Sequence, residues 1–399
     1  MEGENNMDQD YFANQIGTVL EQVSEEIGRV NILIAGGTGV GKSTLINSVF
    51  QGNFADTGIG EPVTKEIVKI DKTGIPLSIY DTRGLEMKDY NTTLQELTNL
   101  IKDLNTSNPN DHIHAAWVCI AETSDRVQPA EIELVKMLSE EGIPVIVVIT
   151  KAYLKKDFQN TIKDKLKEAK KVIRVNSIET EIEVNDQTIK LPQSGLDHLV
   201  DVTFEVVPDG QKSAFIASQK VDIEKKKNRS QKIVATAAAI AAGIGVVPIP
   251  FSDAASIVPI QILMIARISA IFGLSLDKVF MNTMVTSTIT GSVGTITGKA
   301  IVSNFLKALP GFNVSAGIIH AGVASGITTT FGQAYITVLA RLFSKNDGVP
   351  PTGEEVLKAF KEQYEKSKSE YKHEEHDQES ESKSKHEEHD EESEDQQDE

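Results

Sequence analysis

Apolar residues recur at intervals of three and four near the start of the chain, at Phe12, Ile16, Leu20, Val23 and Ile27, the stripe of an amphipathic helix within residues 1–29. Such a face predicts packing on a neighbouring domain, with a partner protein or a membrane surface as the alternative cover. From Asn31 the pattern changes to short apolar runs separated by longer amphipathic segments. Asn31–Ala35, Ile67–Ile70, Leu77–Tyr80, Ala115–Ala121, Val145–Ile149 and Val172–Val175 read as strands. Ser43–Phe50, Leu94–Leu104, Ala130–Glu140 and Asp157–Lys171 read as helices. This alternation predicts an α/β fold with a mainly parallel sheet covered on both faces. Thr180–Val184 and Thr188–Leu191 flank Asn185-Asp186 as an inserted hairpin, and Ser194–Val207 reads as a closing helix, so that a first domain spans residues 30–210.

A basic linker follows over residues 211–232, with Lys220, Lys225, Lys226, Lys227, Arg229 and Lys232, read either as a solvated helix face or as a surface that meets anionic lipid. Residues 233–343 then hold seven charged side chains in 111 positions, against 25% charged for the whole chain. Small residues return at helical spacing, at Ser287, Gly291, Gly294 and Gly298 and at Gly322 and Gly326, which lets helix backbones approach closely. The stretch 233–345 is therefore a helical domain, either packed as a bundle or associated with a membrane. Residues 233–252 are uncharged, yet their seven Ile and Val supply only about −3 kcal/mol toward insertion, which Pro248, Pro250 and the glycines offset. Reversible, peripheral attachment fits that balance better than a fixed span. Residues 346–399 contain a short amphipathic helix, Glu354–Tyr364, and an acidic low-complexity tail that lacks the apolar surface to fold.

The residues that carry chemistry sit between the first strand and the first internal helix. Gly36-Gly37-Thr38-Gly39-Val40-Gly41-Lys42-Ser43 fits the phosphate-binding loop G-x-x-x-x-G-K-[ST]. Glycines let backbone N–H groups wrap phosphates, Lys42 reaches the β and γ oxygens, the Ser43 hydroxyl ligates magnesium, and Thr44 continues the helix whose positive end faces the anion. Asp81-Thr82-Arg83-Gly84 follows the strand Leu77–Tyr80, 38 residues after Ser43. There Asp81 is placed to hold magnesium through water, and the Gly84 N–H to meet a γ-phosphate. Thr64, in Glu61-Pro62-Val63-Thr64, lies in the loop between them, where a switch threonine would join the magnesium.

Composition narrows the partners. The single cysteine, Cys119, falls inside an apolar run, so it reads as a packed thiol and no disulfide framework is available. The polar, acidic N-terminus has no signal-peptide h-region, which predicts a cytoplasmic protein. Of the net charge of −18, eleven units come from residues 371–399, with fourteen acids against three lysines. An acidic chain of this kind is not expected to bind nucleic acid generally. The tail repeats Lys-His-Glu-Glu-His-Asp at 372–377 and 385–390, read as a solubilising segment with weak zinc or nickel affinity as the alternative.

Gly36–Leu45, Pro62-Val63-Thr64 and Asp81–Gly84 together resemble the Era-like and septin-like group of P-loop GTPases. Ser194-Gly195-Leu196-Asp197-His198-Leu199, Val207-Pro208 and the alanine-rich run to Pro248-Ile249-Pro250 and Asp253 look like bacterial members that bear a hydrophobic, glycine-rich C-terminal domain of unassigned function. The resemblance implies a three-layer GTPase domain, GTP and GDP as ligands, Mg2+ as cofactor, and a slow GTPase that acts as a switch for its helical domain. Within it, Thr150-Lys151-Ala152-Tyr153 stands at the base-reading string [NT]-K-x-D. Thr150 and Lys151 match, whereas Tyr153 replaces the aspartate that pairs with guanine, and Val175-Asn176-Ser177 replaces the usual fifth string. Leu85 occupies the position of the water-orienting glutamine, so intrinsic turnover is expected to be slow and its acceleration to need an arginine or lysine in trans, from a homodimer or an activating partner, with Arg83 and Arg126 as conceivable fingers. A binding module that scarcely hydrolyses, and a dynamin-like membrane-remodelling protein, are the competing readings.

Overall fold

The computed structural model describes residues 17–52, 54, 61–62, 67–82, 90–153, 155–184, 187–244, 253–274 and 324–359. Residues 17–27 form helix α1, with Val19 and Val23 buried and Leu20 and Ile27 partly so. Phe12 and Ile16 lie outside the described residues.

The strands are β1 (Val30–Ala35), β2 (Glu61–Pro62), β3 (Ile67–Asp71), β4 (Leu77–Thr82), β5 (Ala115–Ala121), β6 (Val145–Thr150) and β7 (Lys171–Arg174). They form one sheet in the order β2-β3-β4-β1-β5-β6-β7. Pairing is antiparallel from β2 to β4 and parallel from β4 to β7. Strands β1, β5 and β6 are buried at every position and predominantly apolar, because both faces are covered. In β1 and β5, Leu33, Ala116 and Val118 point to one face, while Ile32, Ile34, Trp117 and Cys119 point to the other. Helices α3 (Tyr90–Asn105), α4 (Pro129–Glu140) and α5 (Lys156–Lys165) cover the first face through Leu97, Leu134 and Ile162. The second face is covered by α2 (Lys42–Val49), α6 (Leu196–Val206) and α7 (Lys212–Ser218), through Ile46, Leu199 and Phe215. This is the α/β three-layer arrangement expected for a P-loop GTPase, followed by helices.

Several boundaries differ from the sequence pattern: α3 begins one turn earlier, at Tyr90 where the pattern predicts Leu94, and α6 covers Leu196–Val206 within the predicted 194–207. Helix α5 stops at Lys165, not Lys171, because the chain must turn back to lay Lys171 beside Ile146 in the parallel sheet. The inserted hairpin is β8 (Thr180–Val184) paired with β9 (Gln187–Leu191), apart from the main sheet among the described residues.

Three long helices follow: α8 (Ile223–Ile244), α9 (Asp253–Ile271) and α10 (Ala324–Lys345). By contacts the chain divides into one unit of Met1–Ile233, Ile265–Leu276 and Leu339–Pro351, and a second of Val234–Met264, Asp277–Val338 and Thr352–Glu399. Within the second unit, a Cβ at Gly332 would fall 2.5 Å from Val234 and 3.1 Å from the Met264 sulfur, so three helices converge on that missing side chain. Ser287, Gly291, Gly294, Gly298 and Gly322 lie outside the described residues. In the first unit Arg267, which interrupts the apolar run of α9, makes a two-pronged ion pair with Glu26 of α1 at 2.7 Å and 2.7 Å. That guanidinium holds the Glu26 carboxyl below its ordinary range.

Cys119 is fully buried in β5, and burial pushes its thiol up to about 12. The thiolate is the reactive form. Native protein at pH 8 should therefore resist a soluble thiol reagent over hours, and take up one equivalent per chain once denatured in urea.

Candidate functional site

Strand β1 delivers the chain into the Gly36–Gly41 loop, and helix α2 starts directly at Lys42. Gly36 is the tight point, with φ 147° and a hypothetical Cβ only 2.3 Å from the carbonyl oxygen of Cys119. Any side chain there would push the loop off β5. Gly41 precedes the helix in the left-handed region at φ 101°. Lys42 Nζ donates to the carbonyls of Gly36 at 2.8 Å and Gly37 at 3.3 Å, so its ammonium lies over the loop it would share with phosphate. Thr38, Gly39, Ser43 and Thr44 are exposed along the same rim.

Asp81, the penultimate residue of β4, pairs in register with Ile34 of β1 and is half-buried at the loop side of the sheet. A serine hydroxyl in the first helical turn and a carboxylate at the adjoining strand end are both hard oxygen donors, the kind magnesium takes together with phosphates and water. Ser43 and Asp81 would hold the ion, which would neutralise phosphate charge. Thr64, Gly84, Arg83 and Leu85 lie outside the described residues.

Thr150 and Lys151, 110 residues further along, return to the same loop. Thr150, buried at the end of β6, donates its hydroxyl to the Val40 carbonyl at 2.6 Å. Lys151 adopts φ 50° and donates Nζ to the Gly39 carbonyl at 2.8 Å. The phosphate loop and the base loop are thus bonded to one another.

The segment after Lys151 is fixed by residues that motif reasoning did not single out. Glu122, 3% exposed just past β5, accepts the Tyr153 N–H on Oε2 at 2.7 Å. Its Oε1 pairs with Arg174 at 2.5 Å, and the other Arg174 nitrogen donates to the Lys155 carbonyl at 2.7 Å. Lys155 Nζ reaches Asp125 at 2.6 Å. One buried carboxylate–guanidinium pair therefore grips both ends of residues 153–155. The available signal was a charged residue at the C-terminal end of each of two apolar strands flanking β6. Glu122→Gln should weaken this charge-assisted grip by about 1.5–3 kcal/mol. We expect about tenfold faster dissociation of a fluorescent nucleotide in stopped-flow, together with a lower Tm.

In the fifth string, Asn176 exchanges backbone hydrogen bonds with Ser194 at 3.0 Å and 2.9 Å, and its side chain donates to Leu191 and Pro192. Asn176 fastens the base of the hairpin. Asp157 lies exposed in the first turn of α5, and Arg126 is exposed in the loop after β5.

Residues 31–151 match the family model described as a 50S ribosome-binding GTPase, and residues 211–366 match a domain of unknown function (DUF697). Magnetosome membrane protein 22 of Magnetospirillum gryphiswaldense is 29% identical over 133 residues, 33% of this chain and 66% of that protein. Septin-9 of Rattus norvegicus is 26% identical over 170 residues, 34% of this chain and 29% of that protein. The chain therefore spans less than two thirds of either relative. Among solved structures, a probable GTP-binding protein engB is similar over 37% of this chain and 89% of its own, at 22% identity and a TM-score of 0.29. A dimerization-deficient mutant of Toc33 from Arabidopsis thaliana is similar over 51% and 91%, at 16% identity and a TM-score of 0.31. The glycine loop, Asp81 near the end of β4 and the Thr150-Lys151 turn lie at one end of the sheet, and the chain has a P-loop GTPase-type α/β fold over the matched residues 31–151, followed by helices within the match to a domain of unknown function.

Proposed function

We propose that the protein is a magnesium-dependent GTPase of slow turnover that acts as a nucleotide switch for its helical region, residues 233–345. One observation carries this reading: Thr150 and Lys151 hold the carbonyls of Val40 and Gly39, so that base and phosphates would be sensed by one connected frame. Lys42 would bind the β and γ phosphates, Ser43, Thr64 and Asp81 the magnesium, and Gly84 the γ-phosphate. Tyr153 supplies no carboxylate for guanine, which predicts a weaker base preference than an aspartate would give. Leu85 orients no water. Acceleration would come from an arginine of a second copy or of another protein, with Arg83 and Arg126 as candidates.

The test is steady-state phosphate release from GTP and Mg2+ across protein concentration. Turnover per molecule that rises with concentration supports self-activation. No detectable release at any concentration would sink the enzymatic reading and leave a nucleotide-gated binding module.

Attachment to an anionic membrane surface is a second output, suggested by the name of the magnetosome relative. No helix among the described residues is long and apolar enough to cross a membrane. Much of the basic linker is engaged within the fold: Lys225 pairs with Asp201 and Asp222, Lys227 with Glu224, and Arg229 donates to Ser213. These pairings favour an internal output over a lipid-facing one. Protein that stays in the supernatant with phosphatidylserine liposomes in both nucleotide states would exclude the membrane reading and dynamin-like remodelling with it.

A further inference from the structure

The basic linker contains a lysine that does not face solvent. Lys226 is 0% exposed, and its ammonium donates to three backbone carbonyls, of Ile216 at 2.8 Å, Ala217 at 2.9 Å and Ile271 at 2.9 Å. Ile216 and Ala217 lie in the last turn of α7, and Ile271 is the last residue of α9. The carbonyls at a helix end have no partners within the helix and carry the negative end of its dipole. One ammonium thus caps two helices with all three of its N–H groups. The ring of Phe343, near the end of α10, lies 5.0 Å from Nζ and adds a cation–π contact. Burial lowers the affinity of this amine for its proton. Three carbonyl acceptors, two helix ends and the ring face favour the protonated form, and three acceptors use three donors only in that form.

The same carbonyl cluster is bonded to the tail of the phosphate-loop helix. Helix α2 runs from Lys42 to Val49, and the next two residues join the segment after α7 as a short antiparallel pairing. Gln51 N–H donates to the Ser218 carbonyl at 2.9 Å, and Lys220 N–H to the Val49 carbonyl at 2.9 Å. The buried Gln51 side chain donates Nε2 to the Ala217 carbonyl at 2.6 Å, an acceptor that Lys226 also uses. Its Oε1 lies against the turn that ends α9. There Gly273 has φ 77°, and a Cβ would come within 2.3 Å of that oxygen, so the amide packs directly on backbone.

Helix α2 is about 12 Å long, a single stiff rod with phosphate at its head and this cluster at its tail. We propose that Gln51 and Lys226 form a coupling joint that carries nucleotide occupancy from the tail of α2 to the ends of α9 and α10. The joint rests on the switch reading above and specifies its route, through the back of the phosphate-loop helix. All of its residues belong to the first unit, while the remaining residues of α9 and α10 belong to the second. Movement of α2 on phosphate binding would shift the Ala217 carbonyl against Lys226. It would thereby change how firmly the last turn of α9 is held.

The experiment is hydrogen–deuterium exchange of the full chain with a non-hydrolysable GTP analogue plus Mg2+ against GDP plus Mg2+, for wild type, Gln51→Ala and Lys226→Met. For wild type we expect exchange in peptides covering 265–276 and 339–351 to differ at least threefold between the two nucleotides. Gln51→Ala should abolish that difference while nucleotide affinity changes less than threefold, and Lys226→Met should abolish it if the variant folds. Loss of the difference in Gln51→Ala supports the joint even if Lys226→Met fails to fold. A difference that persists in Gln51→Ala overturns the joint and leaves the switch reading standing. Protection of the phosphate loop without any wild-type response in 265–276 and 339–351 also overturns it. Absence of nucleotide-dependent protection at the phosphate loop itself would defeat the switch reading, and the joint with it.

Discussion

Replacing Lys42 with alanine should abolish measurable nucleotide binding at concentrations where the wild type is saturated. The ammonium lies on the Gly36 and Gly37 carbonyls at 2.8 Å and 3.3 Å, so it is already at the loop that phosphates would enter. Truncating one partner of a desolvated charge pair costs about 2–5 kcal/mol, here about 10²-fold or more in Kd. Fluorescent GDP and GTP analogues should lose affinity together, because the side chain would meet the β-phosphate that both carry. Lys42 also holds loop carbonyls, yet it contributes nothing to the buried sheet, so Tm should fall by only a few degrees. A variant that binds within threefold of wild type would remove Lys42 from the site.

That loop was legible in the sequence because each position demands a residue type on steric or chemical grounds. The approach of Gly36 to the Cys119 carbonyl is the physical form of one such demand. The alternation of strands and helices was equally plain, since strands buried on both faces read as unbroken apolar runs. The grip on the base loop was not visible. Glu122 and Arg174 lie 52 residues apart and meet only because β5 and β7 flank β6 in the sheet. Local pattern marks each as a charged residue at a strand end and does not say that the two meet. Charge patterning places Lys226 in a solvated or lipid-facing basic stretch, and the structure corrects this: its Nζ is consumed by carbonyls from two helix ends. A cation that caps backbone needs no acidic partner, so charge patterning could not flag it. The N-terminal stripe missed Val19, which is buried one turn before Val23.

Trp117→Ala should be among the most destabilising single changes in the GTPase domain. Trp117, the chain's only tryptophan, is fully buried in β5. Its ring stacks on Phe50 at 5.4 Å and 13°, and its indole N–H donates to the Thr203 hydroxyl at 3.1 Å. Removing the ring leaves a cavity between β5, the end of α2 and α6, at a cost of about 3–5 kcal/mol. Trp117→Phe keeps most of the packing and loses chiefly the hydrogen bond, about 1 kcal/mol. Urea unfolding followed by far-UV circular dichroism should rank wild type, Phe and Ala in that order. Equal midpoints for Phe and Ala would mean that the stack on Phe50 contributes little. Because Phe50 caps the phosphate-loop helix, the Ala variant should also bind nucleotide more weakly.

The central claim is that this frame reads a guanine nucleotide despite Tyr153. Its most direct test is a titration of fluorescent GTP against fluorescent ATP in the presence of Mg2+, repeated with Tyr153→Asp. We expect GTP to bind about tenfold more tightly than ATP in the wild type, and the aspartate to widen that gap further by restoring a carboxylate to the base loop. Equal affinity for the two nucleotides, unchanged by Tyr153→Asp, would contradict the guanine assignment.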